Sequence, residues 1–333
     1  MKCSLRSLIL VALILVATVL AACSEQKASL SPGDVRSVRF GASEECLGAL
    51  AHAAQGGGMF EDAGLDVEYT LYESSQDVVD AIAAGEVDVG TGTDIPVVLA
   101  TLRGAEMDIV ATIGSYNNDI VIVARRSDDL TSQQDLRGKR VGTREGTAAH
   151  FFLHSLLIRY GMSDDDIEYS FAQFDELPQA LARGEVDAVA VRPPHIFQAQ
   201  EVLGSDALTL EEPGLYEKTM NLVSAPDVDL EVRRRLVSAL IAAEERYAPQ
   251  PRADMRAVVA ETLDVTEEEL CDSMGHVEFS VGLSQSLVLG LEDQARWARE
   301  SGMVAADAGA DFLDIVDTAA IDDIDPRRVS IIR

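Results

Sequence analysis

The chain has 333 residues, 47% of them hydrophobic, which is more than one average domain needs and enough for one or two substantial cores. Its formal net charge is -30, from 57 acidic and 27 basic residues, so nucleic acid is a poor partner and cations are attracted at long range. We therefore expect a two-lobed protein with a solvated acidic surface, and not a nucleic-acid-binding protein.

The first residues have the pattern of a secretory signal. Two basic residues precede an apolar run at 8–20, and the run ends in Leu-Ala-Ala-Cys, whose cysteine is Cys23. The run is too short, and too close to a small-residue cleavage site, to predict a membrane span. The segment resembles a bacterial lipoprotein signal, with a plain signal peptide as the alternative. We predict a signal peptide at 1–22 and a tether at 23–35, anchored through lipid on Cys23.

The cysteines and histidines predict no metal site. Of the four cysteines, one is removed with the signal and one is consumed by lipid, which leaves Cys46 and Cys271. An oxidising location permits a disulfide between them, but two separate buried thiols are expected. The five histidines lack a zinc spacing, although His150 and His154 are one helical turn apart. We expect neither a metal nor a cofactor.

The folded region begins near Val35, and its first part alternates strands with helices. The predicted strands are 38–41, 66–71, 87–90, 109–113 and 120–124. The predicted helices are 47–54, 59–63, 78–84 and 95–102. This alternation is typical of βαβ units in an open sheet, so the fold class is α/β.

A turn-rich, charged stretch at 125–138 separates the first set of elements from a second set. The second set comprises strands at 140–142, 167–171 and 188–191 and helices at 147–160, 177–182 and 195–203. A strand at 220–224 returns the chain, and helices follow at 230–246, 252–263, 267–274, 284–299 and 310–316. We predict a first lobe from 36–125 and 222–333, and a second lobe from 126–221.

A repeated pattern supports two related lobes. Ala81-Ile-Ala-Ala-Gly-Glu-Val-Asp88 recurs 99 residues later as Ala180-Leu-Ala-Arg-Gly-Glu-Val-Asp187. Each copy predicts a helix end, a glycine turn and a following strand. A common helix-to-strand turn is the alternative, but the two copies also match in the flanking elements, so we expect equivalent positions in the two lobes.

The loop before the helix at 147–160 is a candidate anion site. Gly146 permits an unusual backbone turn and Thr147 is a good N-cap, so the free amides up to Ala148 could bind an anionic or carbonyl group. An ordinary βα turn is the alternative. In an open α/β sheet, ligands lie beyond the carboxyl ends of the strands, and loops of the two lobes could therefore face each other across a cleft.

Several of these features together resemble the substrate-binding lipoproteins of ABC importers. They are the Leu-Ala-Ala-Cys segment, Gly85-Glu-Val-Asp-Val-Gly90, Leu-Arg-Gly-Lys-Arg-Val-Gly at 136–142 with its following helix, and Met59-Phe-Glu-Asp-Ala-Gly-Leu65. Over residues 36–320 the chain is similar to the nitrate, sulfonate, taurine and thiamine-precursor binding group. The resemblance implies a type II periplasmic-binding fold with a helical C-terminal portion. Its two lobes close over a small molecule, and the closed form docks on a permease.

The resemblance places the ligand at the loops that follow the strands. The implied ligand-binding residues are Ser43, Glu45, Thr91, Thr93, Asp94, Tyr116, Asn117, Gly146, Thr147, Ala148, His150 and Arg192. Hydroxyl and amide donors would bind oxyanion or carbonyl oxygens, and Arg192 would pair with a carboxylate or sulfonate.

Two departures from the family pattern leave the ligand open. Four carboxylates in or beside these loops would repel an anion, so an amine, a zwitterion or a neutral heterocycle is an alternative; they are Glu44, Glu45, Asp94 and Glu145. Arg192 also replaces the aromatic residue that many relatives carry before the proline of its loop. The aromatic residues that could replace the lost stacking are Tyr116, Phe151 and Phe174.

We predict a monomeric, lipid-anchored extracytoplasmic protein that captures a small organic molecule and delivers it to an ABC permease with a cytoplasmic ATPase. A ligand sensor for a membrane receptor is the alternative. A pyrimidine-forming enzyme on a related fold uses a lysine-bound cofactor and its own histidine. Lys139 and Lys218 are the only lysines of the folded region here, and neither lies in a matching motif. We therefore expect no enzymatic activity.

Overall fold

The computed structural model describes residues 35–117, 119–127, 129–249, 253–268, 270 and 272–332, without the side chains of 272 and 273. The predicted signal peptide, Cys23 and Cys271 lie outside the described residues. From Arg36 onward the chain forms one compact unit. Among the helices described, none is both long enough and apolar enough to cross a lipid bilayer.

Strands and helices alternate as expected until residue 210, after which helices dominate. The strands are β1 Arg36–Ser43, β2 Leu65–Tyr72, β3 Val89–Thr93, β4 Asp108–Tyr116, β5 Val121–Arg125, β6 Arg140–Thr143, β7 Glu168–Phe171, β8 Ala188–Val191, β9 Ala207–Leu210 and β10 Lys218–Ser224. The α-helices are α1 Ala49–Gly56, α2 Met59–Asp62, α3 Ser75–Ala83, α4 Asp94–Leu102, α5 Ala148–Arg159, α6 Leu177–Ala182, α7 His195–Leu203, α8 Leu230–Tyr247, α9 Ala253–Leu263, α10 Gln285–Glu300 and α11 Ala319–Ile324.

These strands form two five-stranded sheets with the same plan. The first has the order β2-β1-β3-β10-β4 and the second the order β7-β6-β8-β5-β9. In each sheet one strand runs antiparallel between two others, β10 in the first and β5 in the second. The two-lobed α/β fold expected from the sequence is therefore confirmed. Strands β3 and β8 are fully buried, which explains why they read as short apolar or small-residue runs instead of alternating patterns.

The pairing of β5 differs from the predicted lobe assignment. The sequence placed this strand in the first lobe, but its hydrogen bonds join it to β8 and β9 of the second sheet. A short apolar strand is compatible with either sheet, and only its distant partners decide between them. On this pairing we propose that the chain crosses between the lobes after β4 and again after β9.

Three other expectations differ from the structure. Strand β9 was not predicted. At 267–274 the described residues form turns and a 3-10 helix, Asp272–His276, instead of an α-helix. The segment 310–316 forms no helix, because its last residue, Val316, makes a β-bridge with Ile109 of β4. At β9 and at 310–316, pairing with a strand distant in sequence overrides the local pattern.

The repeated sequence marks equivalent positions in the two lobes, as predicted. Gly85 and Gly184 both adopt positive φ angles, 73° and 70°. The aspartate that ends each copy accepts a hydrogen bond from a backbone amide of the neighbouring strand, Arg39 N to Asp88 Oδ2 at 2.9 Å and Arg140 N to Asp187 Oδ2 at 2.9 Å. Each arginine side chain also pairs with that aspartate and donates to the carbonyl of its glycine. The same arrangement therefore ties β1 to the start of β3 and β6 to the start of β8.

Candidate ligand-binding site

The loops at the ends of β1 and β3 bond to each other through hydroxyl groups. Ser43 N donates to Thr91 Oγ1 at 2.9 Å, and Ser75 Oγ lies 2.7 Å from Thr93 Oγ1. Both threonines are buried, and so is Ser43, whose Oγ has no hydrogen-bond partner among the described residues. The three candidate residues of this edge thus lie together, and Ser43 Oγ is the hydroxyl that retains its full bonding capacity.

Glu45 forms an ion pair with Lys218, a residue that the sequence did not predict to be part of the site. Lys218 Nζ lies 3.0 Å from Glu45 Oε2, and Ser75 N donates to Glu45 Oε1 at 3.1 Å. Burial raises the pKa of Glu45, but the charge of Lys218 and these hydrogen bonds outweigh it and lower the pKa to about 2. Glu45 is therefore an ionised, paired group at neutral pH.

Lys218 belongs to a cluster of four charged groups. Burial lowers its pKa, but the charges of Glu45 and Asp119 outweigh this effect and raise the pKa above its ordinary value, against the opposing charge of Arg192. Burial raises the pKa of Asp119, and the positive charges of Lys218 and Arg192 oppose that rise. Lys218 is thus paired directly with Glu45, whereas Asp119 and Arg192 influence this pair through their charges without an ion pair in the described part of the chain.

Asp94, a predicted ligand-binding residue, is hydrogen-bonded to other residues of the chain. Its carboxylate accepts from Tyr216 OH at 2.8 and 2.9 Å, from Gln294 Nε2 at 2.8 Å and from Ile95 N at 3.0 Å. Burial raises the pKa of Asp94, and these hydrogen bonds oppose the rise, which leaves the pKa at about 6. The geometry thus gives Asp94 a part in joining α4, α10 and the segment that leads into β10.

On the second lobe, two guanidinium groups flank one aromatic ring. The Cζ atoms of Arg192 and Arg144 lie 5.5 and 5.9 Å from the ring centre of Phe174, and the ring of His195 stacks on it at 5.6 Å. These residues follow β6, β7 and β8, which are parallel, so they lie at one edge of the second sheet. Both arginines are exposed, and neither forms an ion pair within the described part of the chain. Of the three aromatic residues considered as replacements, Phe174 is the one that lies against Arg192.

The loop before α5 differs in detail from the expectation. Gly146 has a φ of 71°, but Thr147 does not cap the helix with its side chain; its hydroxyl donates to Arg144 O at 2.7 Å. Gly146 N donates to His150 Nδ1 at 3.3 Å, which engages one of the proposed amides. Ala148, the third residue of this proposed amide site, is the first residue of α5 and half-buried.

His150 is packed among aromatic rings. The ring centres of Tyr169, Phe171 and Trp297 lie within 5.1 Å of its own, and its side chain is buried. Burial lowers the pKa of His150 to about 4, so its imidazole is neutral at physiological pH. This environment supports a packing role for His150.

The end of β4 and the loop after β1 contain the remaining predicted residues. Tyr116 stacks on His276 with ring centres 6.3 Å apart, and the carbonyl of the exposed Asn117 accepts from Gly214 N at 3.2 Å. Cys46 is disulfide-bonded, so the expectation of a free buried thiol there is wrong. Within the described ranges, no group of three or more His, Cys, Asp or Glu side chains has a metal-binding arrangement.

The two-sheet plan is that of the periplasmic binding proteins. The chain superposes on the periplasmic aliphatic sulphonate binding protein SsuA from Escherichia coli with a TM-score of 0.68 and 17% identity, over 86% of this chain and 93% of that one. It superposes on the periplasmic nitrate-binding protein NrtA from Synechocystis PCC 6803 with a TM-score of 0.59 and 15% identity, over 87% of this chain and 86% of that one.

A family model described as NMT1/THI5 like matches residues 49–264, and the chain belongs to this family. It is 28% identical over 209 residues to a putative binding protein of Brucella abortus, which is 62% of this chain and 59% of that protein. It is 24% identical over 186 residues to the taurine-binding periplasmic protein of Escherichia coli, 56% of this chain and 55% of that protein. The chain thus spans less than two thirds of these curated relatives.

Proposed function

We propose that the chain is an extracytoplasmic solute-binding protein that captures a small organic anion between its lobes and delivers it to an ABC permease with a cytoplasmic ATPase. One observation carries the ligand class: Arg144 and Arg192 lie over Phe174 at the carboxyl edge of the second sheet, and neither forms an ion pair within the described residues. Guanidinium groups bind carboxylates and sulfonates with two parallel hydrogen bonds, and a flat ring suits a short apolar body.

The environment of the carboxylates supports this ligand class. Of the four that the sequence set against an anion, Glu45 is paired with Lys218, and Asp94 is hydrogen-bonded by Tyr216 and Gln294. The other two, Glu44 and Glu145, are exposed, where water screens them. The repulsion inferred from the sequence is therefore largely compensated, and the names of the similar sulphonate-, taurine- and nitrate-binding proteins agree with an anion.

The finer parts of the proposal concern anchoring, assembly and turnover. We propose that the protein is a monomer held at the membrane by lipid on Cys23, which the Leu-Ala-Ala-Cys pattern supports. We also propose binding without turnover. The similar proteins named above are binding proteins, and Lys139 and Lys218 each form an ion pair, with Asp129 and Glu45, instead of being available to hold a cofactor.

Calorimetric titration of the mature chain with ethanesulfonate, propionate, nitrate, ethylammonium and cytosine tests the ligand class. We expect saturable binding of one sulfonate or carboxylate per chain, no heat from cytosine, and no competition between ethylammonium and either organic anion. Binding of ethylammonium without either organic anion would overturn the proposal.

A further inference from the structure

A cavity of about 480 Å3 lies between α5 of the second lobe and α10 of the first. The segment 215–219, which leads into β10, forms its third wall. Of the ligand-binding residues predicted from the sequence, this cavity contains only Asp94, and it contains neither Arg144 nor Arg192. Its size is within the range of small-molecule sites, and it is separate from the edge of the sheet to which we assign the anion.

A residue that lines this cavity carries a buried acceptor without a hydrogen-bond donor. Gln294 is 2% exposed, and its Nε2 donates to Asp94 Oδ2 at 2.8 Å. That bond fixes the orientation of the amide, because a flipped amide would place two oxygen atoms against each other. Gln294 Oε1 is left without a hydrogen-bond partner among the described residues. A buried oxygen of this kind is stabilised by a ligand that brings an N–H or O–H donor.

The charges around the cavity select a cation. Its two arginines are engaged: Arg159 pairs with Glu212 at 2.7 Å, and Arg296 pairs with Asp293 at 2.7 Å. Two acidic groups remain among the lining residues. One is Asp94, and the other is Glu217, which is exposed and forms no ion pair or hydrogen bond with any described residue. An anion would meet this pair of carboxylates, whereas an ammonium group would be attracted to both.

The remaining wall is apolar, and one helix position leaves space open. Apolar side chains of the lining are Phe151, Ile158, Leu215, Leu287 and Leu291. Gly290 lies inside α10 and lines the cavity, and a Cβ atom added there would meet no atom within 4 Å. Glycine inside a helix is unfavourable, and close packing does not require it at this position. The residue therefore preserves room for the body of a ligand.

We infer that this cavity is a second ligand site, which binds a small organic ammonium ion with an apolar body. The ammonium group is attracted by Asp94 and Glu217, and the apolar body packs beside Gly290. Because Gln294 Oε1 is covered, the ammonium group donates to it only after the neighbouring side chains move. Helix α5 belongs to the second lobe and α10 packs on α4 of the first, so a bound ligand contacts both lobes. Occupancy of this site is therefore linked to the relative position of the lobes.

The single tryptophan of the chain provides a direct readout. Trp297 lies on α10, and its ring centre is 5.3 Å from that of Phe151 in the cavity wall. Tryptophan fluorescence is recorded while the mature chain is titrated with cyclohexylmethylammonium, cyclohexylmethanol or cyclohexanecarboxylate, which share one apolar body. We expect a saturable change with the ammonium compound and at least about tenfold weaker responses from the other two. An equal response from the alcohol, or no saturable response from the ammonium compound, would overturn the inference.

Substitutions separate this cavity from the rest of the surface. Gly290→Leu fills the open space and should abolish the response, while Glu217→Gln should weaken binding about threefold because an exposed charge contributes modestly. Glu245→Gln is the matched control: this glutamate is also exposed, lies on α8 and does not line the cavity, and its removal should leave the titration unchanged.

Thermal unfolding checks that the variants are folded. Gly290→Ala should melt at or above the temperature of the unaltered chain and should bind the probe more weakly, because a methyl group occupies part of the space. If Gly290→Leu does not fold, Gly290→Ala and Glu217→Gln decide the question. Unchanged affinity in both would overturn the inference, whatever the anion titrations give.

Discussion

Lys218 Nζ and Glu45 Oε2 lie 3.0 Å apart and join two segments that are 173 residues apart in the chain. Glu45 follows β1, and Lys218 is the first residue of β10, the strand on which the chain returns from the second lobe. The pair therefore removes an uncompensated negative charge from the first lobe and ties the return of the chain to the first sheet. Both side chains are largely buried: that of Lys218 is 12% exposed and that of Glu45 is 22% exposed.

A double-mutant cycle measures this ion pair. Lys218→Met should lower the free energy of unfolding by about 3–5 kcal/mol, because it leaves Glu45 charged and buried. Adding Glu45→Gln should restore most of that loss, because the carboxylate no longer lacks a partner. Urea unfolding at pH 7 gives both values. If the double variant is as unstable as Lys218→Met, the pair does not act as described.

The carboxyl group of Asp94 should make stability depend on pH. Its pKa is raised from 3.8 to about 6 in the folded chain, so the folded state holds the proton more tightly than the unfolded state. The resulting stabilisation is fully present below pH 4 and is lost as the pH rises through 6. Relative to Asp94→Asn, the unaltered chain should lose about 3 kcal/mol between pH 4 and pH 7.5.

Urea unfolding of both chains across this pH range tests the prediction, because the difference between them removes the contribution of other titrating groups. Asp293→Asn is the control, since this aspartate lines the same cavity but is 57% exposed and paired with Arg296. It should change the pH dependence little. A difference between Asp94→Asn and the unaltered chain that does not vary with pH would contradict the raised pKa.

Arg192 and Thr93 should contribute very differently to the binding of an anion. Arg192→Ala should weaken ethanesulfonate binding by about 2 kcal/mol or more, because it removes a charged donor pair. Thr93→Ala should cost about 1 kcal/mol, because its hydroxyl is already shared with Ser75. Arg192→Lys should be intermediate, since it keeps the charge and loses the planar fork.

Calorimetry gives these affinities, and Arg183→Ala is the matched control. Arg183 is an exposed arginine of the second lobe that pairs with Glu185, and its loss should leave ligand affinity unchanged. If the ligand proves to be a cation, the order should reverse: Arg192→Ala becomes neutral or favourable and Glu45 becomes the group whose removal matters. Unchanged affinity in every variant would eliminate the proposed site.

Cys23→Ala should release the protein from the membrane or block its processing, because one thiol carries the whole anchor in the proposed lipoprotein. Fractionation of cells followed by mass spectrometry of the N-terminus checks this outcome. Ser24→Ala serves as the control and should remain in the membrane fraction. An unmodified N-terminus elsewhere in the membrane-bound chain would contradict the assignment.

Local patterns predicted most elements of this fold because each carries its own signal. The sequence matches β8 and α7 residue for residue, and the repeat ending in Asp88 and Asp187 correctly marks equivalent turns. Strand β5 was assigned to the wrong lobe because a five-residue apolar strand does not specify its neighbours.

The site was less predictable because its chemistry depends on residues far apart in the chain. From the sequence, Glu45 and Asp94 were interpreted as unpaired carboxylates. The partner of Glu45 is Lys218, 173 residues away, and a partner of Asp94 is Gln294, 200 residues away. The sequence singled out Phe174 only as one of three aromatic residues, since the position of a ring relative to Arg192 requires the fold of a whole lobe. The signal that existed for Lys218 was its rarity: it is one of two lysines in the folded region.

The position of β10 determines which of the two sheets can be completed first during synthesis of the chain. The second sheet uses residues 121–210 without interruption, so all of its strands are available once residue 210 has emerged. The first sheet requires β10 between β3 and β4, and until residue 224 emerges those two strands face an unfilled gap with unpaired backbone groups. The first sheet, whose strands begin to be made first, is therefore completed last. A chain truncated after residue 117 would lack β10, the strand that lies between β3 and β4.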